Sequence, residues 1–438
     1  MSFRLWRSAA LAAALTGSLL IKMPSADAAA LLLIDADSGK VLHSENAGYP
    51  WYPASVSKIM TTYVTLRAVK EGRIQLTSIV TVSPRALSQA PSKMGFPVGT
   101  QMTVEDALKM LMVKSANDIA VVLAEGVGGS VEGFAEEMNK TSRRLGMTQS
   151  SWVNPNGLPA DGQITSARDM AILARTIMRE FPEYSRFWNT HSIQLGRRVF
   201  RNYNRLVTQY PGADGMKTGF ICASGYNLVA TATRNGRKLI AVVLGANSGK
   251  DRTAQAAKLL DRGFTGGGIA WLVPSSGTVD SLQAIAAAPP NLRDEICGKN
   301  RGNRGEADDE PQPGFTDSGG GPGGLNLGGL ITGFQPTVAG SSLHAPIDTQ
   351  APVVVSVIPP KGVANIEAAM APRGRKAKKT KGGQQTVAIP VGENAKKKNA
   401  AAKPDAKPKA ETKPKPGAKP AAGAKSANAA PAKKKPQP

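Results

Sequence analysis

The chain has 438 residues, 55 Lys and Arg against 32 Asp and Glu, and a formal charge of +23, a balance that by itself points to a nucleic-acid partner. The placement of the charge excludes that partner: residues 372–438 hold 19 basic and three acidic groups, which leaves the other 371 residues with 36 basic and 29 acidic groups, an ordinary +7. Hydrophobic residues at 41% suffice for a globular core, whereas 5% aromatic content with 46 Gly and 31 Pro implies that much of the length is unpacked, and two cysteines argue against zinc or iron–sulfur chemistry.

Residues 1–28 read as a signal peptide. Arg4 and Arg7 form a positive start, residues 8–21 an Ala/Leu-rich apolar run, and Ala26-Asp27-Ala28 sets small residues where a signal peptidase reads. The run is shorter than the roughly 20 residues needed to span a bilayer, so export with cleavage is expected. Cys222 and Cys297 then lie in an oxidising compartment, where a disulfide between them is permitted without being demanded.

From residue 29 to about 268 the apolar pattern is regular. Residues 30–35 and 40–44 flank Asp37-Ser38-Gly39 and predict a hairpin. Residues 57–69 predict a helix, with Ile59, Met60, Tyr63, Val64 and Leu66 apolar and Gly72 beyond the end. Thr103, three residues before Asp106, marks the start of a helix over 104–114 whose apolar face is Ala107, Leu108, Leu111 and Met112. Further helices are expected at 119–125, 131–145 and 166–179. Residues 226–233 and 238–244, rich in Val, Ile, Thr and Ala, flank Asn235-Gly236, the preferred type I′ turn of a hairpin. Strands at both ends with helices between them predict one α/β (α+β) domain over 29–268, in which an antiparallel sheet assembled from distant parts of the chain carries an inserted helical lobe. Residues 269–371 lose the pattern and read as mostly disordered linker, and 372–438 as a Lys/Pro/Ala-rich disordered tail.

Three short motifs carry chemistry. Ser55-Val56-Ser57-Lys58 meets the start of a predicted helix, so one turn separates the hydroxyl from the amine and both emerge on one face. A neutral lysine there can take the serine proton without a histidine, since a helix N-terminus and cationic surroundings disfavour its charged form. Alone the motif is weak, because on the order of one Ser-x-x-Lys is expected by chance in a chain this long. Ser115-Ala116-Asn117 follows the helix over 104–114, where a turn would expose a hydroxyl able to relay a proton and an amide able to hold a substrate amide. Lys217-Thr218-Gly219 precedes Phe220 at a strand edge. There Lys217 and Thr218 offer a charge and a hydroxyl to an anion, Gly219 permits close approach of a backbone, and the Phe220 N–H can serve an oxyanion.

In this order, separated by 60 and 102 residues, the three resemble the active-site set of penicillin-recognising serine peptidases. The sequences around them (54–61, 114–118, 154–158, 165–170 and 214–219) resemble the low-molecular-mass penicillin-binding proteins, the D-alanyl-D-alanine carboxypeptidases, over about residues 29–265. The resemblance implies the penicillin-binding-protein and serine β-lactamase type of fold and an acyl-enzyme on Ser55. Muropeptides ending in D-alanyl-D-alanine would be substrates and β-lactams covalent inhibitors, in cell-wall biogenesis and cell-shape control, with no cofactor and no metal. By the same resemblance Lys58 accepts the Ser55 proton, Ser115 passes it to the leaving amine and Asn117 holds the substrate amide. Lys217 and Thr218 bind the terminal carboxylate, and the Ser55 and Phe220 N–H groups form the oxyanion hole. Relatives of this type usually continue into a small β-rich domain and an amphipathic membrane helix; neither is legible here. The basic tail is then expected to grip membrane headgroups or anionic wall polymer, holding an exported protein of the cell envelope at the membrane surface.

Three other enzyme readings and one binding reading compete. A class A β-lactamase needs a glutamate four residues before an asparagine, and no Glu between Asn117 and Lys217 has one. An endopeptidase that cuts peptidoglycan cross-links shares all three motifs. A non-catalytic wall-binding protein has no need of Lys58 beside Ser55. His43, His191 and His344 are the only imidazoles, which serves a histidine-based hydrolase poorly.

Overall fold

Two hairpins supply four of the five strands of the central sheet. The computed structural model describes residues 29–265, 277–298, 342–345 and 350–370; the expected signal peptide and basic tail lie outside the described residues. The first hairpin pairs β1 (Ala30–Asp35) with β2 (Val41–Glu45). The chain then passes through a 3-10 turn at Ala54–Val56 into α1 (Ser57–Lys70). A small excursion follows, β3 (Ile79–Thr81), α2 (Pro84–Leu87) and β4 (Gln101–Thr103), with β3 and β4 paired antiparallel. None of these short pieces carries enough periodicity to be read from sequence.

The helical lobe is the long run α3 (Val104–Val113), α4 (Asn117–Gly128) and α5 (Val131–Leu145), with α6 (Ala167–Glu180) after it. Thr103 caps α3 by accepting from the Asp106 N–H, as its spacing predicts, and Ser166 caps α6 in the same way from Asp169. Next come α7 (Arg186–Asn189), the paired strands β5 (Ser192–Leu195) and β6 (Arg198–Arg201), and α8 (Leu206–Gln209).

The sheet resumes with β7 (Ala213–Ile221), β8 (Gly225–Arg234) and β9 (Arg237–Ala246). Asn235 and Gly236, at φ 51° and 75°, form the two left-handed positions of the type I′ turn between β8 and β9. Strand order is β2-β1-β9-β8-β7, every pairing antiparallel, so the first hairpin docks on the second and β7 is left at an edge. Leu32, Leu33 and Ile34 in β1, and Leu228, Val229 and Ala230 in β8, are all fully buried. Successive residues face opposite ways, so both faces of the sheet are covered. One cover is α9 (Gly249–Thr265), a helix the sequence reading did not anticipate, whose Gly263 lies against the side chains of Leu33 and Leu239.

The first helix is covered all round: Ser57, Lys58, Thr61, Thr62 and Thr65 are as buried as Ile59, Met60, Tyr63, Val64 and Leu66. A helix surrounded by protein must satisfy its polar groups internally, and these do: Thr62 and Thr65 hydroxyls donate to the Lys58 and Thr61 carbonyls, and Thr61 to Pro155 O.

Within 269–371, three described pieces lie against the body. Leu292 donates its N–H to Ala223 O ahead of α10 (Arg293–Cys297), and Cys297 forms a disulfide with Cys222 just past the end of β7. His344 donates its N–H to Gln209 O. Further on, β10 (Val353–Val354) pairs in parallel with β5, Ile358 exchanges backbone hydrogen bonds with Gln101, and the short α11 (Ile366–Ala369) follows.

Candidate active site

The site is built around a backbone turn that most residues avoid. Ala54, at φ 48°, occupies left-handed space immediately before Ser55. The turn is pinned from three directions. Asn227 on β8 donates to Tyr52 O and Pro53 O, and Ser57 Oγ donates to Ala54 O. Gly157 packs so closely on Ala54 O that a Cβ there would come within 1.8 Å of it. The same proximity appears on the other side: a Cβ on Gly219 of β7 would sit 2.8 Å from Ser55 N and 2.9 Å from Val56 N. Glycine at 219 is therefore the condition for strand and turn to touch.

One turn into the helix, Lys58 Nζ lies 2.8 Å from Ser55 Oγ, 2.7 Å from Asn117 Oδ1 and 2.7 Å from Asn156 O, with the whole side chain buried. Asn117 Oδ1 and Asn156 O accept from the amine and so fix where it stands against the Ser55 hydroxyl. The sequence predicted the Ser55–Lys58 pair; it did not indicate Asn156, whose part is played by a backbone carbonyl that any residue supplies.

Ser115 sits between α3 and α4 and Asn117 opens α4, at the turn expected, but they are not exposed. They are 4% and 3% accessible, because the turn faces the cleft between the helical lobe and β7 rather than solvent. Ser115 takes φ 59°. Asn117 gives Oδ1 to Lys58 and one Nδ2 hydrogen to Ala90 O, which leaves one amide hydrogen for a further partner. Asp118 accepts from the Met94, Gly95 and Ile119 N–H groups, while burial pushes its carboxyl up against the pull of those donors.

Lys217, Thr218, Gly219 and Phe220 lie inside β7, paired with Val229, Leu228, Asn227 and Tyr226. Lys217 and Thr218 are each 1% accessible; Lys217 Nζ donates to Thr218 O, and Thr218 Oγ1 has no hydrogen-bond partner among the described residues. Phe220 stacks on Tyr226 with ring centroids 4.2 Å apart, and the buried Arg252 guanidinium lies over the far ring.

The cleft itself is lined by Ser55, Ser92, Ser115, Asn117, Tyr203 and Phe220, with Asn156 and Gly157 at its base. Lys217 and Thr218 stand back from that lining. An adjoining groove of about 150 Å³ shares Gly157, Leu158 and Ile221 with it and continues past Tyr52 and Asp161. Ser92 and Tyr203 had no sequence signal, since each comes from a segment without periodicity. Among the described residues no group of His, Cys, Asp and Glu side chains is placed to hold a metal ion, and no histidine lines the cleft.

A serine hydroxyl, a buried amine touching it, a second serine in the same cleft and an edge strand beside them are the groups that acyl transfer requires. Comparison with known proteins agrees. The family model described as D-alanyl-D-alanine carboxypeptidase matches residues 19–248. The D-alanyl-D-alanine carboxypeptidase DacC of Escherichia coli is 39% identical over 251 residues, which are 56% of this chain and 63% of that protein. DacF of Bacillus subtilis is 37% identical over 244 residues, 55% of this chain and 62% of its own. The chain thus spans a little under two thirds of the length of these relatives. The solved structure of penicillin binding protein 5 from Haemophilus influenzae superposes with a TM-score of 0.52 at 37% identity, covering 56% of this chain and 72% of that one. The match extends over the sheet and the helical lobe that hold the cleft, and with more than half of its residues inside the family model, the chain belongs to the D-alanyl-D-alanine carboxypeptidase family.

Proposed function

We propose that the protein is a serine-type D-alanyl-D-alanine carboxypeptidase that removes the terminal D-alanine from peptidoglycan pentapeptides, with β-lactams as covalent inhibitors. The observation that carries this reading is the Lys58 amine held between Ser55 Oγ, Asn117 Oδ1 and Asn156 O. Ser55 Oγ bonds to the carbonyl carbon of the penultimate D-alanine as its proton passes to Lys58. The oxyanion is met by the Ser55 and Phe220 N–H groups. Collapse breaks the C–N bond, the amine receives the proton from Lys58 by way of Ser115, and D-alanine leaves. Water then attacks the ester, returning its proton through Lys58 and restoring the Ser55 hydroxyl. Asn117 orients Lys58 and offers its remaining amide hydrogen to the substrate. Lys217 and Thr218 take the terminal carboxylate, which supplies an acceptor for the buried Thr218 hydroxyl.

Digestion of purified pentapeptide and cross-linked muropeptides tests the reaction. Free D-alanine from the monomeric pentapeptide is expected. Cross-link cleavage without it means an endopeptidase instead, and no turnover of either means a wall-binding protein.

The reading extends to export and to the tail. Residues 1–28 have the plan of a signal peptide, and the +16 of residues 372–438 suits the polyanions of an envelope, lipid headgroups and wall polymers. Deleting 372–438 is expected to abolish association with envelopes at low salt while sparing acylation of Ser55. Sedimentation that the deletion leaves unchanged removes this part of the proposal.

A further inference from the structure

A second polar assembly borders the cleft, and neither the acylation machinery nor the core accounts for it. Lys114 directly follows α3, Ser92 lies in the loop after α2, and Tyr203 lies after β6; Tyr203 and Ser92 both line the cleft. Lys114 Nζ donates to Tyr203 Oη, Tyr203 Oη and Ser92 Oγ are 3.2 Å apart, and Ser92 Oγ is 3.0 Å from Lys114 O. The proton count gives the chain one direction. A carbonyl oxygen only accepts, so the Ser92 hydrogen points at Lys114 O. With that hydrogen used, the phenol is the donor between Tyr203 and Ser92, through the same oxygen that accepts from Lys114 Nζ. The result is a circuit that leaves Lys114 by its side chain and returns to Lys114 at its own carbonyl.

That carbonyl begins the peptide bond to Ser115, the residue held at φ 59°. A serine in left-handed space stays there only if its surroundings over-determine it. The neighbouring contacts do the same from the other side: Asn117 N–H donates to Ser92 O, Asn117 Nδ2 to Ala90 O, and Asp118 fixes the Met94 and Gly95 N–H groups. The 90–95 loop is therefore stitched to residues 114, 117 and 118, and the contacts through Tyr203 and Ser92 lie on the N-terminal flank of Ser115. Tyr203 and Ser92 are 7% and 8% accessible, so water competes little for these bonds.

The geometry points to Tyr203 as a positioning residue for Ser115: through Ser92 and Lys114 it holds the Lys114–Ser115 peptide in the conformation that presents the Ser115 hydroxyl to the cleft. This rests on the acyl-transfer reading of Ser55. Its test is the rate of acylation by a fluorescent penicillin, resolved into ligand binding and the chemical step.

Tyr203→Phe keeps the ring and deletes the hydroxyl. It is expected to slow the chemical step by about 10- to 100-fold, the scale of a misplaced catalytic group, with ligand affinity unchanged and a somewhat lower melting temperature, since Lys114 Nζ and Ser92 Oγ lose a buried partner. Lys114→Met should reproduce the loss and Lys114→Arg, which keeps a donor, should restore most of it; this pair also serves if Tyr203→Phe does not fold. In a Ser115→Ala background Tyr203→Phe should cost nothing further, because the group it positions is gone. Wild-type rates in Tyr203→Phe, or an undiminished loss in the Ser115→Ala background, overturn the assignment. Absence of any label on the wild-type protein instead overturns the acyl-transfer reading, so the two failures are distinguishable.

Discussion

Ser55→Ala is expected to take no covalent label from a fluorescent penicillin, and Lys58→Met to label about 10²- to 10⁴-fold more slowly than the wild type. The two losses differ because the residues do different work. Without Oγ there is no atom to form the ester, so no slow residual reaction on this residue remains. Without the amine the hydroxyl is still in the cleft, held in its turn by Asn227, Ser57 and Gly157, but nothing within reach accepts its proton. Lys58 is 2.8 Å from Ser55 Oγ and completely buried, so solvent is a poor replacement base. Methionine fills nearly the same volume and keeps α1 packed, at the expense of Asn117 Oδ1 and Asn156 O losing a donor. Stopped-flow labelling and mass spectrometry of the adduct measure both. Labelling of Ser55→Ala at the wild-type level would show that the acylated residue is elsewhere.

Gly219→Ala is the second large effect, and it arises from one carbon atom. The added Cβ would stand 2.8 Å from Ser55 N, 2.9 Å from Val56 N and 3.1 Å from Pro53 O. All three are backbone atoms of the turn that carries Ser55, so no side chain can swing aside. Either β7 withdraws from the turn or the turn tilts. The first separates Phe220 from Ser55, and the second separates Ser55 from Lys58. A displacement approaching 1 Å costs about 10²-fold in rate, and the strain of overpacking about 1–3 kcal/mol in stability. The expected result is therefore at least about 10²-fold slower acylation in a protein that still folds and melts at a lower temperature. Acylation at the wild-type rate would mean that strand and turn are not in contact in solution.

Much of the fold was legible because its elements are locally determined. The Asn235-Gly236 turn requires two residues at positive φ, a need that few residue pairs meet. The cap at Thr103 is read from spacing alone. The α9 helix was missed because its apolar positions follow a chain of Lys, Asp and Arg residues whose burial, as at Arg252, comes only from the assembled sheet. The Cys222–Cys297 link was left open, since 75 residues of separation say nothing of proximity.

The catalytic candidates divide along the same line. Ser55 and Lys58 are one helical turn apart, so local geometry brings them together whatever the rest of the chain does. The sequence by itself also determined the order of the three motifs, the hairpins at either end of the domain and the separation of a charged tail from an ordinary body. Which groups stand around Lys58 was decided by tertiary structure. Asn117 and Asn156 approach from 59 and 98 residues away, and Tyr203 reaches Ser92 across 111. The inward turn of Ser115 and the depth of Lys217 and Thr218 in β7 were decided at the same level. Burial and close approach are properties of pairs of segments, and the composition or spacing of neither segment alone encodes them.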